Sequence, residues 1–348
     1  MSNKPLALTA SLLAVLAAAP PAIAQNSGIT ETDIVYTGTS PYHNIAVVDE
    51  SGIRTLYFDD TMESRMEVKN PYAGAFEYTD YFQTIWLWKP DIKSILMMGL
   101  GGASTQKAMA HYHPEVTMET AEIDPMVADV AKKYFSYVLG DKQKLTVIDG
   151  RQFLLHSKNK YDAILMDAYT QGRYGASIPY ELVTKEFFQL TKDHLAPDGV
   201  LAYNIIQVLK GYNTSDMVAS MYRTMKEVFP QVYIFNAQTS LNTVMVATLK
   251  KDALSHDALK KIATDMVSTK KITFPSFLER LDNFQADPPP NYRTSPLLTD
   301  DFAPVESLTG PSANNVKPAA SGAAKPAAAS ATPAASTAKP KTTSATTP

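Results

Sequence analysis

Three acids and one glycine-rich turn carry the chemistry this sequence offers. Gly99-Leu100-Gly101-Gly102-Ala103-Ser104 follows an apolar run and precedes a helix-like stretch, so it provides close backbone approach and a helix N-terminus. Glu122, about 20 residues further on, is placed to accept both hydroxyls of a ribose. Asp149 suits a hydrogen bond from an adenine amino group, and Asp167 stands where the reacting group of such a ligand would lie. In this order the four features describe an adenosyl-type pocket. The turn lacks the full G-x-G-x-x-G spacing, which favours an S-adenosylmethionine type of site over NAD. Taken singly, each has a plainer reading: Glu122 or Asp124 as the cap of a helix starting at Pro125, Asp149 as a turn residue.

The elements that must position these residues are visible in the hydrophobic rhythm. Residues 42–68 read as short strands carrying Ile45, Val47, Ile53, Leu56 and Phe58, with Asp49-Glu50-Ser51-Gly52 as a turn. From residue 93 strands and helices alternate. Strands are expected at 94–98, 116–121, 145–148, 161–166 and 200–205, with later ones at 232–235 and 243–248. Helices are expected up to His111, from Pro125 to about Phe135, and over 181–195 and 217–229. This alternation implies an α/β fold: a Rossmann-type, S-adenosylmethionine methyltransferase-like, doubly wound parallel sheet preceded by a small antiparallel β region. The β region spans 25–90 and the nucleoside-binding domain 91–308. The glycine turn and the three acids then all fall at strand carboxyl ends, where open α/β sheets bind ligands.

The ends have a different character. Lys4 precedes an uncharged apolar run to Ala19, and Ala22-Ile23-Ala24 is an A-x-A cleavage signature, so residues 1–24 read as a signal peptide cut before Gln25. The expected product is an exported protein, periplasmic or secreted, with no transmembrane span. Residues 309–348 are almost wholly Ala, Pro, Ser, Thr and Lys and read as a disordered tail, either a spacer or a cationic tether. Lys4 and the four lysines after Glu306 face no acid in those ends, so a net charge of −3 leaves −8 on residues 25–308. That excess argues against nucleic acid as a partner and suits a cationic substrate. With no Cys in the chain, a disulfide framework, a thiolate metal site and a cysteine nucleophile are all excluded.

Other motifs weigh less. His111 and His113 flank Tyr112 with no acidic third ligand at helical spacing and read as surface residues, and no metal site is expected. No G-x-S-x-G elbow occurs, which argues against an α/β-hydrolase. Gln171–Ser177 reads as a lid over the pocket or a plain surface loop, with Arg173 able to reach a ligand carboxylate. Trp86 and Trp88, with Phe82 and Ile85, read as packing between the β region and the sheet.

Ser40-Pro41-Tyr42-His43, the β region, Gly99-Leu100-Gly101-Gly102, Glu122-Ile123-Asp124, Asp149-Gly150 and Tyr161–Asp167 together resemble the spermidine synthase family of polyamine aminopropyltransferases, over about residues 36–250. Ala168-Tyr169, Ile178-Pro179, Thr184–Phe188 and Leu298–Pro304 are similar to a divergent bacterial branch, often fused to membrane transporter domains. The resemblance implies transfer of an aminopropyl group from decarboxylated S-adenosylmethionine to an amine, with no tightly bound cofactor. It implies that Glu122 binds ribose, that Asp149 and Gly150 bind adenine, and that Gly99, Gly101 and His43 line the nucleoside, His43 standing where the family usually has Gln. It also implies a homo-oligomer.

The amine half departs from the family. Its loop Asp, which holds the aminopropyl nitrogen, is Gly102 here; its Tyr-His-Glu is Tyr78-Thr79-Asp80; its D-S-T-D is Asp167-Ala168-Tyr169-Thr170. Asp167 is then the remaining catalytic acid, with Tyr78, Asp80 and Tyr169 as candidate amine contacts. The leading reading is a spermidine-synthase-like transferase in polyamine biosynthesis. A non-catalytic nucleoside- or polyamine-binding protein, and a methyltransferase using S-adenosylmethionine, are the alternatives.

Overall fold

The strand run around residues 42–68 extends in both directions in the computed structural model, which describes residues 33–74, 76–172, 175–206, 216–240 and 242–309. Five strands, β1 (Ile34–Thr39), β2 (Asn44–Glu50), β3 (Ile53–Phe58), β4 (Thr61–Glu67) and β5 (Asn70–Gly74), pair antiparallel in chain order. The β2–β3 turn places Ser51 and Gly52 at φ of 51° and 82°, the two positive values that a two-residue I′ hairpin requires. One face of this sheet buries Ile45, Val47, Leu56 and Met66 against Leu100, Ala103, Val127 and Phe135. The small sheet is thereby fixed over the glycine turn. The expected signal peptide, the expected tail from residue 310 onward and Arg173 lie outside the described residues.

A helical turn, α1 (Tyr78–Tyr81), continues as a 3-10 helix over Phe82–Leu87 and leads into the larger sheet. That sheet contains β6 (Ser94–Met98), β7 (Thr117–Glu122), β8 (Gln143–Val147), β9 (Tyr161–Met166), β12 (Leu195–Ile205), β13 (Gln231–Asn236), β14 (Thr243–Thr248) and β15 (Phe284–Gln285). Their order is β15-β13-β14-β12-β9-β6-β7-β8. Strands β8, β7, β6, β9 and β12 run parallel, whereas β14, β13 and β15 join antiparallel, so the sheet is mixed. The short link between β13 and β14 permits a hairpin and is too short for the crossover that a parallel pair needs. A separate two-stranded hairpin, β10 (Thr170–Gly172) with β11 (Gly175–Ser177), follows β9.

Helices α2 (Ser104–Tyr112), α3 (Pro125–Tyr134), α4 (Gly150–His156), α5 (Lys185–Asp193), α6 (Asp216–Val228), α7 (His256–Ser268) and α8 (Val305–Thr309) complete the described chain. Asp124 caps α3 through Met126 N at 2.8 Å, with Pro125 in its first turn. Helix α5 starts later than the sequence suggests, because Thr184 caps it and Tyr180–Leu182 forms a separate 3-10 turn. Among the described residues no helix is long and apolar enough to cross a membrane.

Two expectations about the core are corrected. Trp86 and Trp88 are buried, but on a face of the large sheet beside α7: Trp88 lies 4.6 Å from Tyr233 and shares its cluster with Met97 and Phe274, not with the small sheet. His113 is not a surface residue. It packs 4.3 Å from Trp86, meets Gln83 Oε1 at 2.9 Å, and burial lowers its pKa to about 4, which keeps the ring neutral. His111 does stay outside, stacked on Tyr72.

Candidate active site

The glycine turn begins where β6 ends, and its geometry explains the residue choice. Gly99 has φ of +94°, and a Cβ there would lie 2.1 Å from the Asp167 carbonyl oxygen. The ends of β6 and β9 are thus in backbone contact. Gly101 is also left-handed, at φ +49°, and a Cβ there would meet Ser64 Oγ at 2.8 Å. Glu122 ends β7 and braces the turn: Leu100 N donates to one carboxylate oxygen at 2.9 Å and Asp124 N to the other at 2.8 Å. Burial nonetheless raises its pKa to about 7, because two amides only partly replace lost water. Asp149 caps α4 through Gln152 N at 2.8 Å and, with Gly150, also faces the cleft, so the structural and ligand-facing readings coexist. The Ser40–His43 turn is tied in through Ser40 Oγ, which donates to Asp124 and accepts from His43 N at 3.0 Å. His43 stacks on Phe58 at 4.3 Å, and burial lowers its pKa, so the ring that it offers the cleft is neutral.

Asp167 is the most elaborately held of the acids. Tyr78 OH donates to one oxygen at 3.1 Å and Asn204 Nδ2 to the other at 2.9 Å. Asn242 in turn donates to Asn204 Oδ1 at 3.0 Å, and Tyr169 OH to the Asn204 carbonyl at 2.7 Å. Burial raises the Asp167 pKa to about 6 despite these bonds. A carboxyl held in one orientation and poised near neutrality is suited to exchange a proton with an amine.

His43, Gly99, Gly101, Glu122, Asp149, Asp167 and the side chains that hold Asp167 line one cleft of about 1210 Å³ between the two sheets, together with β10–β11 and the C-terminal segment from Ala303 to Thr309. That segment is positioned by Asp300, which receives Arg151 at 2.8 and 2.6 Å and Thr184 Oγ1 at 2.6 Å. Six carboxylates, those of Glu63, Glu122, Asp149, Asp167, Glu181 and Glu306, line the cleft, and the described lining contains neither Lys nor Arg.

Not every expected contact reaches it. Asp80 turns away, accepting from Ser276 Oγ at 2.7 Å and lying 3.2 Å from Arg280 Nε. Two positions along a helical turn point to opposite sides, so Tyr78 can face Asp167 only if Asp80 does not. Gly102 does not line the cleft: its N–H donates to Ser64 Oγ at 2.9 Å, and a Cβ would meet Ser64 Cβ at 2.8 Å and Phe135 at 2.9 Å.

Sequence reasoning missed Glu63. It sits on β4 between Met62 and Ser64, where no motif marks it, and only its placement opposite the glycine turn brings it to the cleft. Burial, followed by the charges of Asp167 and Asp59, pushes its pKa up to about 8. The C-terminal wall was not foreseen as part of the cleft, although Leu298–Pro304 entered through the resemblance.

Comparison with known proteins points the same way as this geometry. Residues 85–260 match the family described as the spermine/spermidine synthase domain. A polyamine aminopropyltransferase of Vibrio vulnificus (strain CMCP6) is 29% identical over 322 residues, covering 88% of this chain and 100% of that protein. A probable spermidine synthase from Corynebacterium glutamicum ATCC 13032 superposes with a TM-score of 0.58, over 78% of this chain and 98% of its own, at 18% identity. A spermidine synthase in complex with the transition state analogue AdoDATO gives a TM-score of 0.54, over 72% of this chain and 88% of its own, at 20% identity. At these identities the two structures establish a shared fold.

Proposed function

Because the chain belongs to the spermine/spermidine synthase family, we propose that its cleft binds an S-adenosyl sulfonium nucleoside and passes the aminopropyl group to an amine. The observation that carries this reading is the charge of the cleft: six lining carboxylates and, among the described residues, no Lys or Arg. Such a site attracts a sulfonium and an ammonium and repels anionic ligands such as dinucleotides.

Glu122 takes the ribose hydroxyls, Asp149 and Gly150 the adenine edge, and His43 with Phe58 the flat face opposite them. Asp167, fixed by Tyr78 and Asn204, orients the acceptor nitrogen and accepts its proton. The freed lone pair attacks the carbon beside sulfur; the C–N bond forms, the C–S bond breaks, and its electron pair neutralises the sulfonium. Methylthioadenosine and a protonated secondary amine remain. Methyl transfer from S-adenosylmethionine would use the same nucleoside contacts, but that co-substrate brings a carboxylate into a cleft already rich in them.

Titration calorimetry on the full chain with methylthioadenosine, decarboxylated S-adenosylmethionine and S-adenosylmethionine tests the reading. Binding of the first two, lost in Glu122→Ala, is expected. Incubation with decarboxylated S-adenosylmethionine and putrescine is expected to yield methylthioadenosine and spermidine in equal amounts, with Asp167→Asn slower by about a hundredfold or more. Absence of affinity for all three nucleosides would overturn the proposal. The leader-like residues 1–24 add to it that the mature chain begins at Gln25 and works outside the cytoplasm, which N-terminal sequencing of the protein from its native cell would check.

A further inference from the structure

We propose that Glu63 holds the primary ammonium of the donor's aminopropyl chain, and so selects a decarboxylated sulfonium nucleoside over S-adenosylmethionine itself. The inference rests on the nucleoside reading of the cleft and assigns its donor.

Three observations carry it. First, Glu63 lines the cleft from the small sheet, whereas Glu122, Asp149 and Asp167 line it from the strand ends of the large one. Glu63 immediately precedes Ser64, the residue that accepts Gly102 N–H at 2.9 Å and fills the space a side chain at 102 would need. An acid is therefore supplied beside the glycine turn by the facing strand, at a place where the turn itself has no room for one. Second, the Glu63 carboxyl makes no hydrogen bond or ion pair among the described residues, unlike Asp167, whose two oxygens are both taken. The charges acting on it are those of Asp167 and Asp59, both negative. A half-buried carboxylate among like charges is unfavourable unless a cation completes it. Burial first, and then those two charges, raise its pKa to about 8. Third, the phenol rings of Tyr78 and Tyr169 stand in the field of both acids. Two acids and two aromatic rings, with no competing Lys or Arg in the described lining, form a setting for an alkylammonium.

The selectivity follows from charge. Decarboxylated S-adenosylmethionine presents an ammonium alone at the end of its chain. S-adenosylmethionine presents an ammonium and a carboxylate on the same carbon, and the second would face Glu63 and Asp167 with no cationic side chain to receive it.

The test is calorimetry on the full chain at pH 8, wild type against Glu63→Gln, with methylthioadenosine as the neutral reference. Wild type is expected to bind the decarboxylated donor at least tenfold tighter than S-adenosylmethionine. Glu63→Gln is expected to narrow that ratio by about tenfold while methylthioadenosine affinity stays within twofold. An unchanged ratio overturns the proposal, as does an equal loss of methylthioadenosine affinity, which would make Glu63 a nucleoside contact. Wild-type binding of methylthioadenosine with no preference between donors sinks this inference and leaves the nucleoside reading standing; failure to bind methylthioadenosine sinks both. Should Glu63→Gln fold poorly, the wild type alone decides. From pH 6 to 8.5, affinity for the decarboxylated donor must rise more steeply than for methylthioadenosine as Glu63 ionises against Asp167, Asp59, Tyr78 and Tyr169. Parallel curves reject the assignment.

Discussion

The cleft has two walls built by different rules. The wall formed by the strand ends of the large sheet is rigid and crowded, and every acid on it is tied to backbone or side-chain partners: Glu122 to two amides, Asp149 to a helix N-terminus, Asp167 to Tyr78 and Asn204. The wall contributed by the small sheet carries a neutral stacked histidine and a carboxyl with no partner among the described residues. The first wall has its groups satisfied before any ligand arrives. The second is left for the ligand to satisfy, and so it is the wall on which specificity can be altered at least cost to the fold.

A pair of glycines breaks that comparison most directly. Both Gly99 and Gly52 have positive φ, but a Cβ at 99 strikes the Asp167 carbonyl, whereas nothing lies within 4 Å of one at 52. Gly99→Ala is expected to cost about 3 kcal/mol or more, the backbone strain plus a collision with no flexible neighbour to yield. Gly52→Ala should cost about 1 kcal/mol, the strain alone. Chemical denaturation of the two variants measures both, and similar losses would mean that the strand-end wall is no more constrained than a surface hairpin.

Nucleoside affinity sharpens the contrast further. Glu122→Ala removes charge-assisted bonds worth about 2–3 kcal/mol, so methylthioadenosine affinity should fall by about 30- to 150-fold. His43→Ala removes only a stacked face, and a loss of about fivefold is expected. Calorimetry with the one ligand compares them, and a larger effect at His43 would reverse the roles of the walls.

The pH dependence of stability separates the walls by their acids. Glu63, Glu122 and Asp167 all have folded pKa values above their ordinary ones, at about 8, 7 and 6. Between about pH 4 and 8 the folded chain therefore holds protons that the unfolded chain has released, and stability must fall as pH rises through that window. The melting temperature of wild type is expected to decline from pH 5 to 8.5. Glu63→Gln should make that decline shallower throughout and abolish what remains of it above about pH 7, where Glu122 and Asp167 have already ionised. A decline that persists unchanged above pH 7 in that variant would show that Glu63 is not its source.

The smallest effect is expected at the strap that closes the cleft. Asp300 and Arg151 are both partly exposed, so Asp300→Asn should lower stability by only about 1 kcal/mol. Because pairing with Arg151 holds the Asp300 carboxyl below its usual range, this contribution is present at neutral pH and fades only in acid. Melting at pH 7 and pH 3 checks it; a loss of equal size at both would mean that the pair is not its source.

How much of this was legible beforehand varies residue by residue. The alternation of apolar runs with Gly99, Glu122, Asp149 and Asp167 at their ends located the strand-end wall, because a strand and the residue that terminates it are neighbours in sequence. Tyr78 and Tyr169 were found through resemblance, and both line the cleft. Asp80 was drawn to the site by its nearness to Tyr78 in the chain, and helical geometry sends it to Arg280 instead. His113 looked exposed because no pattern announces that a helix end will be covered by Gln83 and Trp86.

What the sequence determined by itself is local: the periodicity that makes strands and helices, the cap at Asp124, the glycines that allow a turn to pass close to its neighbour, and hence the strand-end wall of the cleft. What only the tertiary structure decided is long-range. It set the antiparallel end of the large sheet, the route that brings Ala303–Thr309 back over the cleft, and the seating of β4 on the glycine turn. That seating removes room for an acid at Gly102 and supplies Glu63 close by. The reason is physical: periodicity and capping depend on residues a few positions apart, whereas the facing of Glu63 and Asp167 depends on how two sheets bury their apolar faces against each other, which no short window of sequence contains.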